Sequence, residues 1–371
     1  MKLSNYLFSG VMRSWSTSLA SFCTLSFGFL FVYLKFTSVK EEAHLHHLPK
    51  EIACPGSILN ESNNSQTYVT GDGRVGGIFF METSDKTSPT LQMMCAVESA
   101  PRANPHTKIT IMMNGLMGSN QSLPQNLGLS LLSCFSNVEF VYLDLKKLFS
   151  DTPLGTWYSK VERHWELVDY TTLLDATRLA ALWKWGGIYL DTDFIILKNL
   201  GNFTNAMGVQ SLYIINGAFL TFQPQHKFIE LCMNDFVDAY NYWLYGHQGP
   251  QLLTRVYKRW CGIHRLRDKK SCRGVNILPK ESFYPVDWHD WKKFFELIEP
   301  KEIKMSLRNS YGVHLWNKKS QGKHMEPGSL LEHLQLEYCP ATNNLRKMYF
   351  KMYLNMLMSH IIYARVVCVD T

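Results

Sequence analysis

Asp191 and Asp193 stand two residues apart, directly after the apolar run Ile188-Tyr189-Leu190. On a regular strand such a pair faces one side. Two carboxylates turned toward an apolar layer carry a desolvation cost unless something cancels their charge. A divalent cation does so: carboxylate oxygens suit a hard metal, and the metal neutralises the oxygens of a diphosphate. Asp is also favoured at plain strand-to-turn junctions, so the pair alone is a weak signal. The residues in front of it strengthen the metal reading. Leu174, Arg178, Leu182 and Trp185 recur at helical spacing, which predicts a helix over Val168–Trp185. Asp175 and Arg178, three apart, lie near one face of it. Gly186-Gly187 closes that helix, and the strand follows. A guanidinium and three carboxylates thus belong to one helix and the strand after it.

A sheet must position such a cluster. Gly76–Met81 reads as a short strand that ends at Glu82-Thr83-Ser84-Asp85. Leu91–Ala100 has helical spacing, Lys108–Met113 and Val138–Leu143 read as strands, and Phe194–Leu197 is a further apolar run. Strands separated by helical stretches predict α/β layering. Ligands in such sheets gather beyond the carboxyl ends of the strands, where Glu82, Thr83, Ser84 and Asn114 would join the two aspartates. Further along, Tyr245-Gly-His247-Gln248-Gly-Pro250 is a donor-rich turn before a helix from Gln251. Asn216-Gly217 is expected at the same cleft. His314, Trp316 and Asn317 follow a short late strand, where a neutral imidazole is open to two roles, metal ligand or structural histidine.

The chain has 371 residues, 46% of them hydrophobic and 19% charged, which excludes a disordered chain. Only one long uncharged apolar run exists, Ser14–Leu34, which excludes a polytopic membrane protein. That run is long enough to span a hydrocarbon core of roughly 30 Å as one helix. Lys2, Arg13 and the amino terminus precede it, so residues 1–13 are expected to stay cytoplasmic and the body to be translocated. Residues 35–75, with His44, His46, His47 and a run of Asn and Ser, read as a stem. Eight of the nine cysteines lie beyond the span at wide spacings, which suits disulfides better than zinc. Their pairing is not readable, although Cys261 and Cys272 could close a short basic loop. Asn60, Asn63, Asn120 and Asn202 head N-x-Ser/Thr sequons. The net charge of +7 is modest, and no zinc-finger or RNP pattern accompanies the basic stretch Lys258–Arg273, so nucleic acid is not the expected partner.

Residues 175–193, Asp-Ala-Thr-Arg-Leu-Ala-Ala-Leu-Trp-Lys-Trp-Gly-Gly-Ile-Tyr-Leu-Asp-Thr-Asp, resemble the sugar-nucleotide core of the D-x-D glycosyltransferases with the GT-A fold. The closer likeness is to the vertebrate α1,4-glycosyltransferases of family 32. Phe79–Asp85, Asn216–Phe219, Gly246–Arg255, Phe283-Tyr-Pro285 and Val313–Ser320 carry it, and it extends over roughly residues 48–350. The other common D-x-D, that of haloacid-dehalogenase phosphatases, usually carries Thr or Val where this chain has Ile195, and no matching later motif follows.

The resemblance implies a GT-A catalytic domain over 76–350 behind a single anchor at 14–34, with 351–371 a tail of no assigned role. It implies a Golgi type II enzyme, using Mn²⁺, that moves galactose with retention from UDP-galactose to the 4-hydroxyl of the terminal β-galactose of lactosylceramide. Front-side attack and double displacement both remain open. The same family contains enzymes that transfer N-acetylglucosamine to O-glycans, and a lectin or scaffold that kept the fold is the non-catalytic alternative. The implied ligands of the metal are Asp191, Asp193 and His314. Phe80, Glu82, Thr83, Asp175, Arg178, Asp191 and Lys318 would bind the nucleotide sugar; Asp191, Asp193, His247 and Gln248 would serve catalysis, the last two from a turn beside the reacting carbon. Implied partners are the UDP-sugar, a glycosphingolipid acceptor, the Golgi membrane, and other Golgi transferases or a second copy in an oligomer.

Overall fold

The computed structural model describes residues 76–116, 123–163, 169–241, 243–244, 246–320 and 322–351. The predicted span, the stem and the tail beyond Lys351 lie outside the described residues. Among the described residues no helix is long and apolar enough to cross a membrane. Of the described residues, 76–346 fall in one compact unit and 347–351 in another; every strand named below belongs to the first.

Strand β1 (Ile78–Glu82) is buried except at its last residue. Helix α1 (Leu91–Ala103) starts at Thr90, whose hydroxyl accepts from Met93 N, and runs through Pro101, past the predicted end. Strands β2 (Ile109–Met113) and β3 (Val138–Tyr142) then add in parallel on one side of β1. Helix α2 (Tyr170–Trp185) is capped by the Asp169 carboxylate and ends at Gly186. It carries the chain to the other side of β1, where β4 (Gly187–Leu190) pairs in parallel with Phe80 opposite Leu190. Strand order therefore reverses between β1 and β4, and the crevice for a ligand opens at their carboxyl ends. The predicted α/β layering, its strands and the helix before the D-x-D are present, with boundaries moved by a few residues.

The second half of the sheet is mixed. After β5 (Phe194–Ile196) and β6 (Ala206–Val209), β7 (Ile215–Phe222) pairs antiparallel with β4, Leu190 opposite Phe219. Helices α3 (Lys227–Asp238) and α4 (Pro250–Cys261) follow, then β8 (Ser271–Cys272) and β9 (Val275–Leu278). The full order is β3-β2-β1-β4-β7-β6-β9-β8. Strand β10 (Gly312–His314) leaves this sheet and pairs antiparallel with β5. The short helix α5 (Asn317–Ser320) and helix α6 (Leu330–Tyr338) come after it.

Covalent and polar ties close the body. Cys95 of α1 is bonded to Cys339 past the end of α6, and Cys261 to Cys272, the loop the sequence suggested. The first spans 244 residues of sequence; a bond of this kind contributes about 2–5 kcal/mol, chiefly by restricting the unfolded chain. Beside it Glu98 is fully buried. Its carboxylate accepts from Ala341 N (2.9 Å), Thr342 N (2.7 Å) and the Thr342 hydroxyl (2.8 Å), and it pairs with Arg102. Those partners offset its desolvation.

Candidate active site

The turn after β4 brings Asp191 and Asp193 to the crevice. Asp191 N donates to Ala218 O of β7 (3.0 Å), which holds the turn to the sheet. One oxygen of each aspartate is engaged by the protein. Asp191 Oδ1 accepts from the Tyr189 hydroxyl (2.5 Å) and lies 3.4 Å from the Arg178 guanidinium. Asp193 Oδ2 accepts from Asn317 N (2.6 Å). The other two oxygens face His314: Asp193 Oδ1 is 3.1 Å and Asp191 Oδ2 3.7 Å from its Nε2. One ligand atom from each of the three residues falls within 4.8 Å of the others. Two carboxylate oxygens and an imidazole nitrogen, two of the three side chains nearly fully buried, form a donor set that fits one divalent cation.

Burial alone would push the Asp193 carboxyl up and the His314 imidazole down. The attraction between them, their hydrogen bond and the Asn317 N–H outweigh it, so Asp193 is lowered and His314 raised. His314 is placed by register, since it sits opposite Phe194, the residue after Asp193. Leu315 N also donates to the Asp193 carbonyl (3.0 Å). Trp316 follows with φ of 55°, a left-handed value that costs a large side chain about 1–3 kcal/mol. Its indole N–H donates to Val286 O (3.0 Å), and the bend it makes aims Asn317 N at Asp193.

Arg178 is buried between two acids, 3.3 Å from Asp175 Oδ1 and 3.4 Å from Asp191 Oδ1, and its guanidinium lies 4.9 Å from the centre of the Tyr189 ring. Burial pulls its pKa down, but Asp191, Tyr189 and Asp175 together raise it. Burial pushes the Asp175 carboxyl up to about 6, against the pull of Arg178. Two glycines make room for this pair. A Cβ on Gly217 would lie 2.5 Å from Arg178 Nη1, and one on Gly249 would strike the Asp175 carboxylate. Gly217→Ala is expected to leave the thermal midpoint little changed, because the guanidinium can move aside. Turnover should nevertheless fall about a hundredfold, since a shift of about 1 Å in a positioning group has that effect. Steady-state kinetics beside a melting curve would check this.

Several expected residues sit elsewhere. Phe80 is fully buried on the central strand, so its ring packs in the core and does not line an open cleft. His247 and Gln248, expected beside the reacting carbon, use their side chains to tie their loop to the end of α3. His247 Nε2 donates to Ala239 O (3.0 Å) and Gln248 Nε2 to Phe236 O (2.6 Å). Arg255, itself paired with Asp235, donates to the His247 carbonyl (2.6 Å). What that loop brings to Asp175 is Gly249. Gln248 Oε1 is buried and has no hydrogen-bond partner among the described residues. Glu82 lies at the end of β1, its carboxylate accepting from Ser84 N (2.9 Å), and Thr83 is buried beside it. Lys318 is exposed on α5, four residues after His314. Asn216-Gly217 borders the cleft as expected; the Asn216 carboxamide accepts from the Tyr284 hydroxyl (3.3 Å).

Tyr189 and the Asn317 N–H were not foreseen. Tyr189 carries a readable signal, because it stands on β4 two residues before Asp191, the first residue past the strand, and extended backbone puts positions two apart on one face. The Asn317 N–H has none, being a backbone group brought in from far along the chain.

This sheet, with an Asp-x-Asp turn and a late histidine at its crevice, is that of a GT-A-like D-x-D glycosyltransferase. Residues 90–213 match the family described as "Glycosyltransferase sugar-binding region containing DXD motif", and residues 221–346 match "Alpha 1,4-glycosyltransferase conserved region". The chain is 53% identical over 312 residues to human lactosylceramide 4-alpha-galactosyltransferase, covering 84% of this chain and 87% of that one. It is 49% identical to the mouse enzyme of that name, over 89% and 91% of the two chains. Human alpha-1,4-N-acetylglucosaminyltransferase is 37% identical over 72% and 79%. The chain belongs to this family of α1,4-glycosyltransferases.

Proposed function

We propose that the chain transfers galactose from UDP-galactose to the 4-hydroxyl of the terminal β-galactose of lactosylceramide, giving globotriaosylceramide with the α configuration retained. The observation that carries this is the 53% identity across 84% of the chain to an enzyme of that name, and the Asp191–Asp193–His314 geometry supports it.

Asp191, Asp193 and His314 would hold Mn²⁺, which when bound neutralises diphosphate charge. The chain's own residues do the rest. Tyr189 and Asn317 N each take one carboxylate oxygen and so turn the other inward. Arg178, held between Asp175 and Asp191, presents fixed positive charge and donors to the nucleotide sugar. A preformed group of this kind spends little reorganisation at the moment of reaction. Lys318 adds charge near the leaving phosphate, Glu82 and Thr83 stand on the nucleotide side, and the loop of His247 and Gln248 borders the acceptor side.

The setting fits a Golgi type II protein with residues 1–13 cytoplasmic, 14–34 spanning, 35–75 a stem and 76–350 a lumenal catalytic domain. The uncharged run with positive flank supports this. So do the disulfides Cys95–Cys339 and Cys261–Cys272 among the described residues, since such bonds persist in an oxidising compartment. Asn202, the one sequon among the described residues, is exposed.

The test offers the full-length enzyme UDP-galactose, UDP-N-acetylgalactosamine and UDP-N-acetylglucosamine. Each is paired with lactosylceramide and with a soluble β-galactoside, and products are read by linkage analysis. An α1,4-galactosyl product on lactosylceramide is expected. Exclusive transfer of N-acetylglucosamine to O-glycan acceptors would overturn the reading of donor and acceptor.

A further inference from the structure

Four large apolar side chains are exposed on two loops at the mouth of the crevice. Leu212 and Tyr213, at the tip joining β6 to β7, are 66% and 73% exposed; Trp243 and Leu244, in the loop that leads into α4, are 79% and 54% exposed. The tip is a closed turn, with Gln210 N donating to Ile214 O (3.0 Å) and Tyr213 N to the Ser211 hydroxyl (3.2 Å). Its side chains are therefore held out by backbone geometry.

Topology places both loops. Strand β7 runs antiparallel to β4 with Leu190 opposite Phe219, so its first residues lie beyond the end of β4, past Asp191. The tip lies further out on that side. Ile215 N donates to the Thr254 hydroxyl of α4 (3.0 Å). The N-terminal half of α4 thus stands beside the base of the tip, and Gly249, just before that helix, lies against the Asp175 carboxylate, which keeps the loop leading into α4 on the crevice side. Gly217, at that base, touches Arg178.

Charge is absent from both segments. No Asp, Glu, Lys or Arg occurs between Lys198 and Lys227, nor between Asp238 and Arg255. A soluble surface gains nothing from neighbouring exposed Leu, Tyr and Trp side chains. The interfacial layer of a bilayer takes them well, because Tyr and Trp keep a polar tip in the headgroups while their rings and the leucines leave water. With no charge in the segments, none must be desolvated on the way.

We propose that the Leu212–Tyr213 tip, with the Trp243–Leu244 loop beside it, rests in the interfacial layer of the bilayer that carries the acceptor, turning the crevice mouth toward the membrane surface. This rests on the reading of the acceptor as a glycosphingolipid. It adds a contact separate from the predicted anchor at Ser14–Leu34, which could hold the body at any orientation.

The experiment compares full-length wild type and the double variant Leu212→Ser, Tyr213→Ser, both reconstituted in phosphatidylcholine vesicles. One arm presents lactosylceramide in the vesicle and the other soluble lactose. Removing two interfacial side chains should raise the apparent KM for the vesicle acceptor about tenfold and leave transfer to lactose within about twofold. In a second arm Leu212→Cys, labelled with an environment-sensitive fluorophore, should be quenched by brominated phosphatidylcholine. Equal effects on both acceptors, or no effect on either together with an unquenched label, would overturn the proposal. A concentration-dependent change in mass on substitution, without quenching, would also overturn it and assign the tip to a second copy of the chain. Failure of wild type to galactosylate either acceptor would count against the function; the quenching arm would still decide the contact.

Discussion

Asp193→Asn is expected to lower turnover about a thousandfold, equivalent to roughly 4 kcal/mol of lost transition-state stabilisation, while the protein stays folded. The expectation follows from how the carboxylate is used. Its Oδ2 is held by Asn317 N and its Oδ1 faces His314 Nε2. Asparagine has the same shape, and its carbonyl can keep the Asn317 contact. It loses the charge, and it presents either an amide N–H or a weaker neutral oxygen toward the metal position. Room-temperature electron paramagnetic resonance of free Mn²⁺, titrated with each protein, should show weaker binding by the variant. Wild type stripped by chelator should recover activity as Mn²⁺ is returned. Full activity of wild type in excess chelator, or unchanged Mn²⁺ binding by the variant, would reject the metal role.

The second large effect is expected at Arg178. Lysine preserves the charge but not the planar fork. Both acid contacts, at 3.3 and 3.4 Å, are made by the single nitrogen Nη2; an ammonium placed there would lose the Nε contact to Leu174 O, the Nη1 group against Gly217 and the planar face over Tyr189. Arg178→Lys should lower kcat/KM for the donor by about a hundredfold to a thousandfold, in the range seen when one preorganised donor is removed. The loss should fall on kcat as well as KM, because Arg178 also braces a metal-binding carboxylate. Asp175→Asn should weaken the same function by loosening Arg178. The double variant should then lose less than the product of the two single losses, as expected for groups in one network. Multiplicative losses would show that Asp175 and Arg178 act separately.

The parts of the site legible in the sequence were those encoded locally. The D-x-D follows a short apolar strand, and Asp175 and Arg178 share a helix face one turn apart. Helical periodicity and strand alternation are short-range properties of the chain, so the helix over Tyr170–Trp185 and the strand after it could be placed by counting. Phe80, expected at the nucleotide, has a buried ring because β1 is an inner parallel strand covered on both faces, where the side chains from Ile78 to Met81 are all buried and alternation carries no information. The contacts that hold the His247 and Gln248 side chains were not legible for a related reason. A turn rich in donors reads as a binding loop by residue type. The acceptors it uses are the carbonyls of Phe236 and Ala239 near the end of a neighbouring helix, whose direction spacing does not reveal.

The sequence by itself determined the α/β layering, the family, and the identity of the carboxylates and the arginine, because these depend on residue type within a window of about twenty positions. It also named His314 as one of two possibilities, ligand or structural histidine. Only the tertiary structure decided that His314 faces the aspartates, because that depends on the antiparallel pairing of β10 with β5, two short strands separated by more than a hundred residues. The same pairing brings Asn317 N to Asp193. The approach of Gly217 to Arg178 and of Gly249 to Asp175 was likewise settled by β7 and α4 converging on the end of β4. Strand register is set by how all buried side chains pack at once, so it cannot be read from either strand alone.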